Sequence, residues 1–326
     1  MFRLFTRLDT LFQLALVLAI ATLLILPAFL HPLAILPARE TLLLHALIVN
    51  ALVNSPLIGI SIAPAIMLFQ AFVLYFFAVS NGLHPRDSLL TILFYFILAA
   101  SLQESIILSP ALAASVLLFF SLFLMVNMQD AVQAYKQVFS ASFCMSVAAL
   151  LYPPAVLFIL FIWMGLLTYR IASWHEWVIS FIGFCIPVLY LLTYYFWMGQ
   201  LQEFFTNYIS LFSNVTHEFP KFHLWQLIFL GFTGLLLLLA VFRQLILIQD
   251  KLISIRRKTW IIVDFMIIAA VSGLLSGSNL PGHLAIIALP GALFLANMFS
   301  AKKANWTFEV LAGSMFILLV LARFYI

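Results

Sequence analysis

The sequence predicts an all-α, polytopic integral membrane protein: a single bundle of about eleven spans (range 9–12), with its N-terminus inside and its C-terminus outside. Three observations carry this. Of 326 residues, 66% are hydrophobic and only 8% charged, against about 25% charged in a soluble domain. The apolar runs approach the ~20 residues that a helix needs to cross a bilayer, which excludes the ~10-residue alternation of a membrane β-barrel. The basic residues fall on alternate connections, as the positive-inside rule requires.

The predicted spans are 10–30, 56–80, 89–107, 110–127, 134–151, 153–170, 177–198, 223–243, 259–276, 281–299 and 305–323. The first follows Arg3 and Arg7, and Leu26, Pro27 and Phe29 near its end are a poor signal-peptide cleavage site. It reads as a retained span. The outer loop 31–55 contains a short helix, 41–54, about 20 Å long and too short to cross a ~30 Å core. Its polar Thr41 and His45 lie on one side, Asn50 and Asn54 on the other. That suits a helix packed against protein, or a re-entrant one.

Leaving 41–54 non-spanning puts Arg3, Arg7, Arg86, Lys136, Arg170, Arg243, Lys251, Arg256, Arg257, Lys258, Lys302 and Lys303 inside. Only Arg39, Lys221 and Arg323 fall outside. A spanning 41–54 would invert every later loop and break this bias. The inner face then suits contact with anionic lipid.

Among the connections, Tyr152-Pro153-Pro154 reads as a tight outer corner, because a residue before proline is pushed out of the α region. A corner so tight leaves room for a shallow depression. Ser173 and Glu176 have capping-box spacing. Loop 199–222 pairs Glu203 with Asn207, Phe204 with Tyr208 and Phe205 with Ile209 one turn apart, an amphipathic helix for the interface. Residues 276–283, SGSNLPGH, form an outer turn: Gly277 and Gly282 give backbone freedom, Ser278 or Asn279 caps, and Pro281 starts the next helix. The turn does not explain His283. Pro290, further along, is placed to kink that helix. Small residues (Ala113, Ala114 and Ser115; Gly231 and Gly234; Gly273 and Gly277) permit close helix contacts.

Phosphate-loop, dinucleotide, HExxH and CxxC patterns are absent, so no cofactor or metal is expected. Cys144 and Cys185 both lie in apolar runs and read as small buried hydrophobes. Asp264 and Glu309 lie near the starts of their spans and Glu104 near an outer end, which disfavours a proton-coupled transporter. The net charge of +4 is spread over the inner loops and is no nucleic-acid signature. Arg39 and Glu40 open the short helix of the first outer loop. There Glu40 could act as a general base, and the Arg39 guanidinium suits phosphate oxygens.

The run LYPPAVLFILFIWMGLLTYRIASWHEWVISFIGFCIPVLYLLTYYFW resembles an uncharacterised family of polytopic inner-membrane envelope proteins of Gram-negative bacteria. A weaker likeness is to the C-type membrane glycosyltransferases and polysaccharide polymerases. Those share many spans, a short helix after the first span, and a late Gly-His-aromatic…Pro element. Gly282, His283 and Pro290 are similar to that element, with Leu284 in place of the aromatic; a paired-acid motif is absent. The resemblance implies a catalytic acid in the first outer loop, where Glu40 is the only acid. It also implies a polyprenyl-phosphate-linked sugar as substrate at the outer face.

The expected site is therefore Glu40 as catalyst, with Arg39, His45, Glu203, His217, His283 and Arg323 contacting substrate. The expected partners are membrane lipid, a polyprenyl-phosphate-linked sugar and other membrane proteins, not nucleic acid. The alternatives are a non-catalytic membrane subunit or scaffold of an envelope complex, and a lipid or solute transporter.

Overall fold

The computed structural model describes residues 10–30, 56–84, 88–102, 104–128, 131–171, 173–215, 222–300 and 306–324. Their helices are α1 (Thr10–Leu30), α2 (Pro56–Ser80), α3 (Leu90–Ala99), α4 (Pro110–Val126), α5 (Ala131–Leu151), α6 (Ile159–Thr168), α7 (Trp174–Trp197), α8 (Leu201–Val215), α9 (Leu224–Leu247), α10 (Ile253–Leu274), α11 (Leu280–Phe299) and α12 (Trp306–Phe324). No strand occurs among the described residues. By length and composition, Ser61–Ser80, Ala134–Leu151, Trp174–Trp197, Leu224–Asp250 and Leu280–Phe299 are able to cross a membrane. Cys144 and Cys185 are free thiols.

The bundle is built around α11, of which 83% is buried. Its principal neighbour is α3, and α4, α9 and α10 also pack against it. At the other extreme, α7 is only 17% buried and turns Phe181, Tyr190, Phe196 and Trp197 outward. So broad an apolar surface belongs against hydrocarbon or another protein rather than water.

Hydrogen bonds show which connections share an end. At one end, Lys258 Nζ donates to Asn81 Oδ1 (2.8 Å), His84 Nδ1 meets Asn297 Oδ1 (2.9 Å), and Arg243 donates to the Met298 carbonyl (3.2 Å). Burial pushes the His84 pKa down, against the raising effect of the Asn297 hydrogen bond. At the opposite end, Tyr152 meets His283 (3.0 Å), Ser109 lies beside Gly282, and Arg323 donates to the Leu24 carbonyl (2.7 Å). These are the two groups of loops that the charge pattern separates. The second group is called the distal end below.

Several elements differ from expectation. The span expected over 89–107 is the ten-residue α3, about 15 Å long, followed by a 3-10 turn at Glu104–Ile106. Every residue of α3 is buried. Beyond it, Ser101 Oγ donates to the Leu98 carbonyl (3.0 Å) and Ser105 Oγ to the Leu102 carbonyl (2.7 Å), and such local bonds compete with helix propagation. The Tyr152-Pro153-Pro154 corner widens into a 3-10 turn, Pro153–Phe158, and is buried rather than hollow. Ser173 makes no side-chain cap bond, so the expected capping box is absent. Of the two expected caps, Asn279 makes no side-chain cap bond to α11, and the Ser278 side chain lies outside what the structure describes. Gly231 and Gly234 have open space where a Cβ would stand and bring no helices together. Asp264 lies mid-helix, because α10 begins at Ile253 and carries Arg256, Arg257 and Lys258 in its first turns; Asp264 accepts a bond from Thr168 Oγ1 (3.3 Å).

Inside the bundle, three helices are tied by one polar chain. Tyr95 of α3 donates to Gln70 Oε1 of α2 (2.5 Å). Gln70 Nε2 donates to Ser115 Oγ of α4 (2.9 Å), which donates to the Leu112 carbonyl (2.6 Å). All three side chains are buried. Tyr95→Phe leaves Gln70 Oε1 without its donor in a dry interior, and we expect a loss of about 1–3 kcal/mol. Thermal unfolding in a mild detergent reads it; a midpoint equal to wild type would show that the chain of bonds contributes nothing.

Candidate functional site

The distal end is where the sequence concentrates its chemistry, and the structure builds a junction there around His283. The proline after Tyr152 holds that residue extended (φ −138°, ψ 99°), and its side chain is 2% exposed. Its hydroxyl lies 3.0 Å from His283 Nδ1. His283 Nε2 lies 2.8 Å from the Ala269 carbonyl and 3.4 Å from Ser272 Oγ, both on α10. A carbonyl only accepts, so Nε2 carries the hydrogen. Nδ1 is then the bare nitrogen and accepts from the Tyr152 hydroxyl. Both ring nitrogens are thereby occupied, and His283 is 0% exposed.

Two glycines make room for the junction. A Cβ on Gly273 would stand 3.1 Å from His283 Cδ2, and one on Gly282 would stand 2.5 Å from Ser109 Oγ. That hydroxyl caps α4 by accepting from the Leu112 N–H (3.1 Å). Gly277 has φ +52°, a left-handed conformation that side-chain-bearing residues avoid. Helix α11 then runs unbroken through Pro290 to Phe299. Thus His283 is not explained by the turn; it is the fastener that joins α10, α11 and the Tyr152 corner.

Helix α8 packs over both distal turns, Pro153–Phe158 and Gly277–Asn279. It buries Phe204 against Tyr195, with ring centroids 5.1 Å apart. Burial pushes the Tyr208 pKa up to about 12. Glu203 is exposed on the same helix. Arg323, at the distal end of α12, is only 3% exposed. Glu203, His283 and Arg323 therefore occupy an outer face, a sealed junction and a separate buried contact with α1; no contact links them. Arg39, Glu40, His45 and His217 lie outside the described residues.

Beside the junction is an apolar cleft of about 130 Å³, partly open to the surface. Leu98 of α3, Ser101 just beyond that helix, Phe229 to Leu237 of α9, and Leu284 and Ile287 of α11 line it. These are the last residues of α3 and the first turns of α11, so the cleft belongs to the distal half. Gly291 closes it below: a Cβ there would stand 3.0 Å from both Leu98 and Leu237. Its polar side chains are turned inward, with Ser101 donating to the Leu98 carbonyl and Thr233 to the Phe229 carbonyl (2.9 Å). The cleft is smaller than the roughly 300 Å³ of a compact ligand pocket, but it has room for a segment of hydrocarbon chain.

Sequence reasoning overlooked the partners Tyr152, Ser272 and Ala269, the Gln70–Tyr95–Ser115 chain and the cleft. The one available signal was polar residues stranded inside apolar runs, which need partners on other helices. Among the described residues, no group of three or more His, Cys, Asp or Glu side chains is placed to hold a metal.

Residues 33–326 match the profile of a family described as a family of unknown function, DUF6427. No curated protein matches, and no solved structure matches.

Proposed function

We propose, for a chain that belongs to the DUF6427 family and draws no activity from that membership, a membrane-embedded transferase that acts on a polyprenyl-phosphate-linked sugar. In this reading the chain is a multi-pass protein of the inner membrane with its N-terminus inside, α3 lies buried within the bundle rather than spanning alone, and the distal end faces outward. The observation that carries it is the cleft between α3, α9 and α11. Its walls are apolar, its few hydroxyls are bonded to backbone, and it is partly open to the surface in the distal half. That suits a hydrocarbon chain entering from the outer leaflet, with its head group at the distal loops. Glu40 in the first of those loops is the proposed base and Arg39 a phosphate ligand. His283 is left out of substrate contact, because both its nitrogens are engaged within the junction.

A second reading, a non-catalytic subunit of an envelope complex, draws on α7, whose exposed aromatic face could seat another membrane protein. Two measurements separate the readings. Gly234→Phe adds a ring to the lining of the cleft at a position where a Cβ meets nothing within 4 Å; it should lower cross-linking to a photoreactive polyprenyl phosphate at least fivefold while leaving the melting midpoint unchanged. Glu40→Gln should abolish the envelope glycan product at normal protein level. Unchanged cross-linking and unchanged glycan in the two variants would reject the transferase reading.

A further inference from the structure

The Arg323 guanidinium is the least explained group in the bundle. It is 3% exposed, and one of its nitrogens, Nη2, donates to the Leu24 carbonyl of α1 (2.7 Å). That carbonyl is one residue past the one that Pro27, inside α1, deprives of its helical N–H. Nε and Nη1 are sealed from solvent and have no hydrogen-bond partner. Three of the five guanidinium N–H groups are therefore unused. A buried cation without a counter-charge is costly, and intramembrane charges are found paired or serving a ligand. Among the described residues, the acids of the distal end are Glu104 and Glu203, both of them exposed.

We infer that Arg323 anchors an oxyanion, the phosphate of a lipid, held between the ends of α1 and α12. The depth fits: Arg323 is one residue from the end of its helix, near where bilayer phosphates lie. The chemistry fits as well, since the planar guanidinium binds phosphate more specifically than an ammonium does. The ligand would leave the Nη2 bond to Leu24 in place and accept from Nη1 at the end-on edge or from Nε at the side-on edge, each of which is without a partner. This deepens the proposed function and rests on it only for the nature of the lipid. The phosphate could come from a polyprenyl phosphate, from a bilayer phospholipid or from free phosphate.

The test is thermal unfolding of the full chain in uncharged detergent, followed by tryptophan fluorescence. The additions are polyprenyl phosphate, the matching polyprenol, phosphatidylglycerol and inorganic phosphate. Wild type should gain several degrees from a phosphate-bearing lipid and nothing from the polyprenol. Arg323→Met should weaken the apparent affinity at least tenfold, and Arg323→Lys should keep part of it. A shift with polyprenyl phosphate alone assigns that ligand, one with both lipids assigns a phospholipid-type site, and one with inorganic phosphate assigns the free anion. An equal response to polyprenol, or an undiminished response in Arg323→Met, overturns the inference. So does strong coupling between Arg323→Met and Glu40→Gln in a double-mutant cycle, which would make the acceptor part of the chain. Should Arg323→Met fail to fold, the wild-type comparison of phosphate with alcohol still decides. Glu40→Gln should bind lipid normally even where it makes no glycan, so failure of the catalytic reading stays distinct from failure of this one.

Discussion

His283→Ala should lower the stability of the bundle by at least about 3 kcal/mol, because two separate losses add. The buried ring leaves a cavity, and large-to-small changes of this kind cost about 3–5 kcal/mol when the site cannot collapse. The Tyr152 hydroxyl also loses its acceptor, and the Ala269 carbonyl loses a donor; each unsatisfied buried group costs about 1–3 kcal/mol. The Ser272 hydroxyl, which donates to the same carbonyl (3.1 Å), absorbs part of this. Tyr152→Phe removes only the hydroxyl and should cost about 1 kcal/mol. Unfolding in detergent, followed by tryptophan fluorescence, orders the two. A His283→Ala protein as stable as wild type, but inactive in glycan assembly, would return His283 to the substrate site.

Gly183→Leu should separate α5 from α7 and cost about 3 kcal/mol, the upper end of what overpacking costs. A Cβ on Gly183 would stand 2.8 Å from the Phe139 carbonyl oxygen and 3.1 Å from Ser142 Cβ. The first of these is backbone, which cannot swing aside. No helix pair among the described residues makes more extensive contact than α5 and α7, and small residues are what permit such an approach. Gly231→Leu is the matched control, because a Cβ there meets nothing within 4 Å. Protease susceptibility of the 169–173 connection, beside unfolding midpoints, reads the separation. Equal midpoints for the two variants would mean that α7 holds its place without this contact.

Hydropathy made most of the helices legible, since a run such as 224–247 has no other way to satisfy its backbone in an apolar setting. Charge pattern then sorted the connections into two groups, and the Asn81–Lys258 and Tyr152–His283 bonds join members within each group. Fine structure was less visible. The 89–107 run reads as one span because hydropathy averages over Ser101 and Ser105, whose hydroxyls turn back onto the chain. Ser173 and Glu176 have the right spacing for a capping box, yet spacing does not fix rotamers. His283 stood out as a residue that the turn did not need. Its partner Tyr152 lies 131 positions away, and nothing local to either residue announces the pair. The glycine expectation divided: Gly231 and Gly234 have open space around them, whereas Gly273 does make a close approach, as do Gly183 and Gly282, which the pattern did not single out as contacts.

The short helix α3 has a consequence for how the chain is made. All ten of its residues are covered by other helices, and about 15 Å of helix cannot by itself bridge a bilayer. During synthesis it emerges long before α11, the helix that covers most of it. Until residues 280–299 arrive, it lacks both a membrane-spanning length and its principal packing partner, with only the earlier helices α1 and α2 to rest against. Its final placement is thus a late event that depends on the last third of the chain. A chain that stops in α10 therefore leaves α3 only partly covered, without the helix that buries most of it.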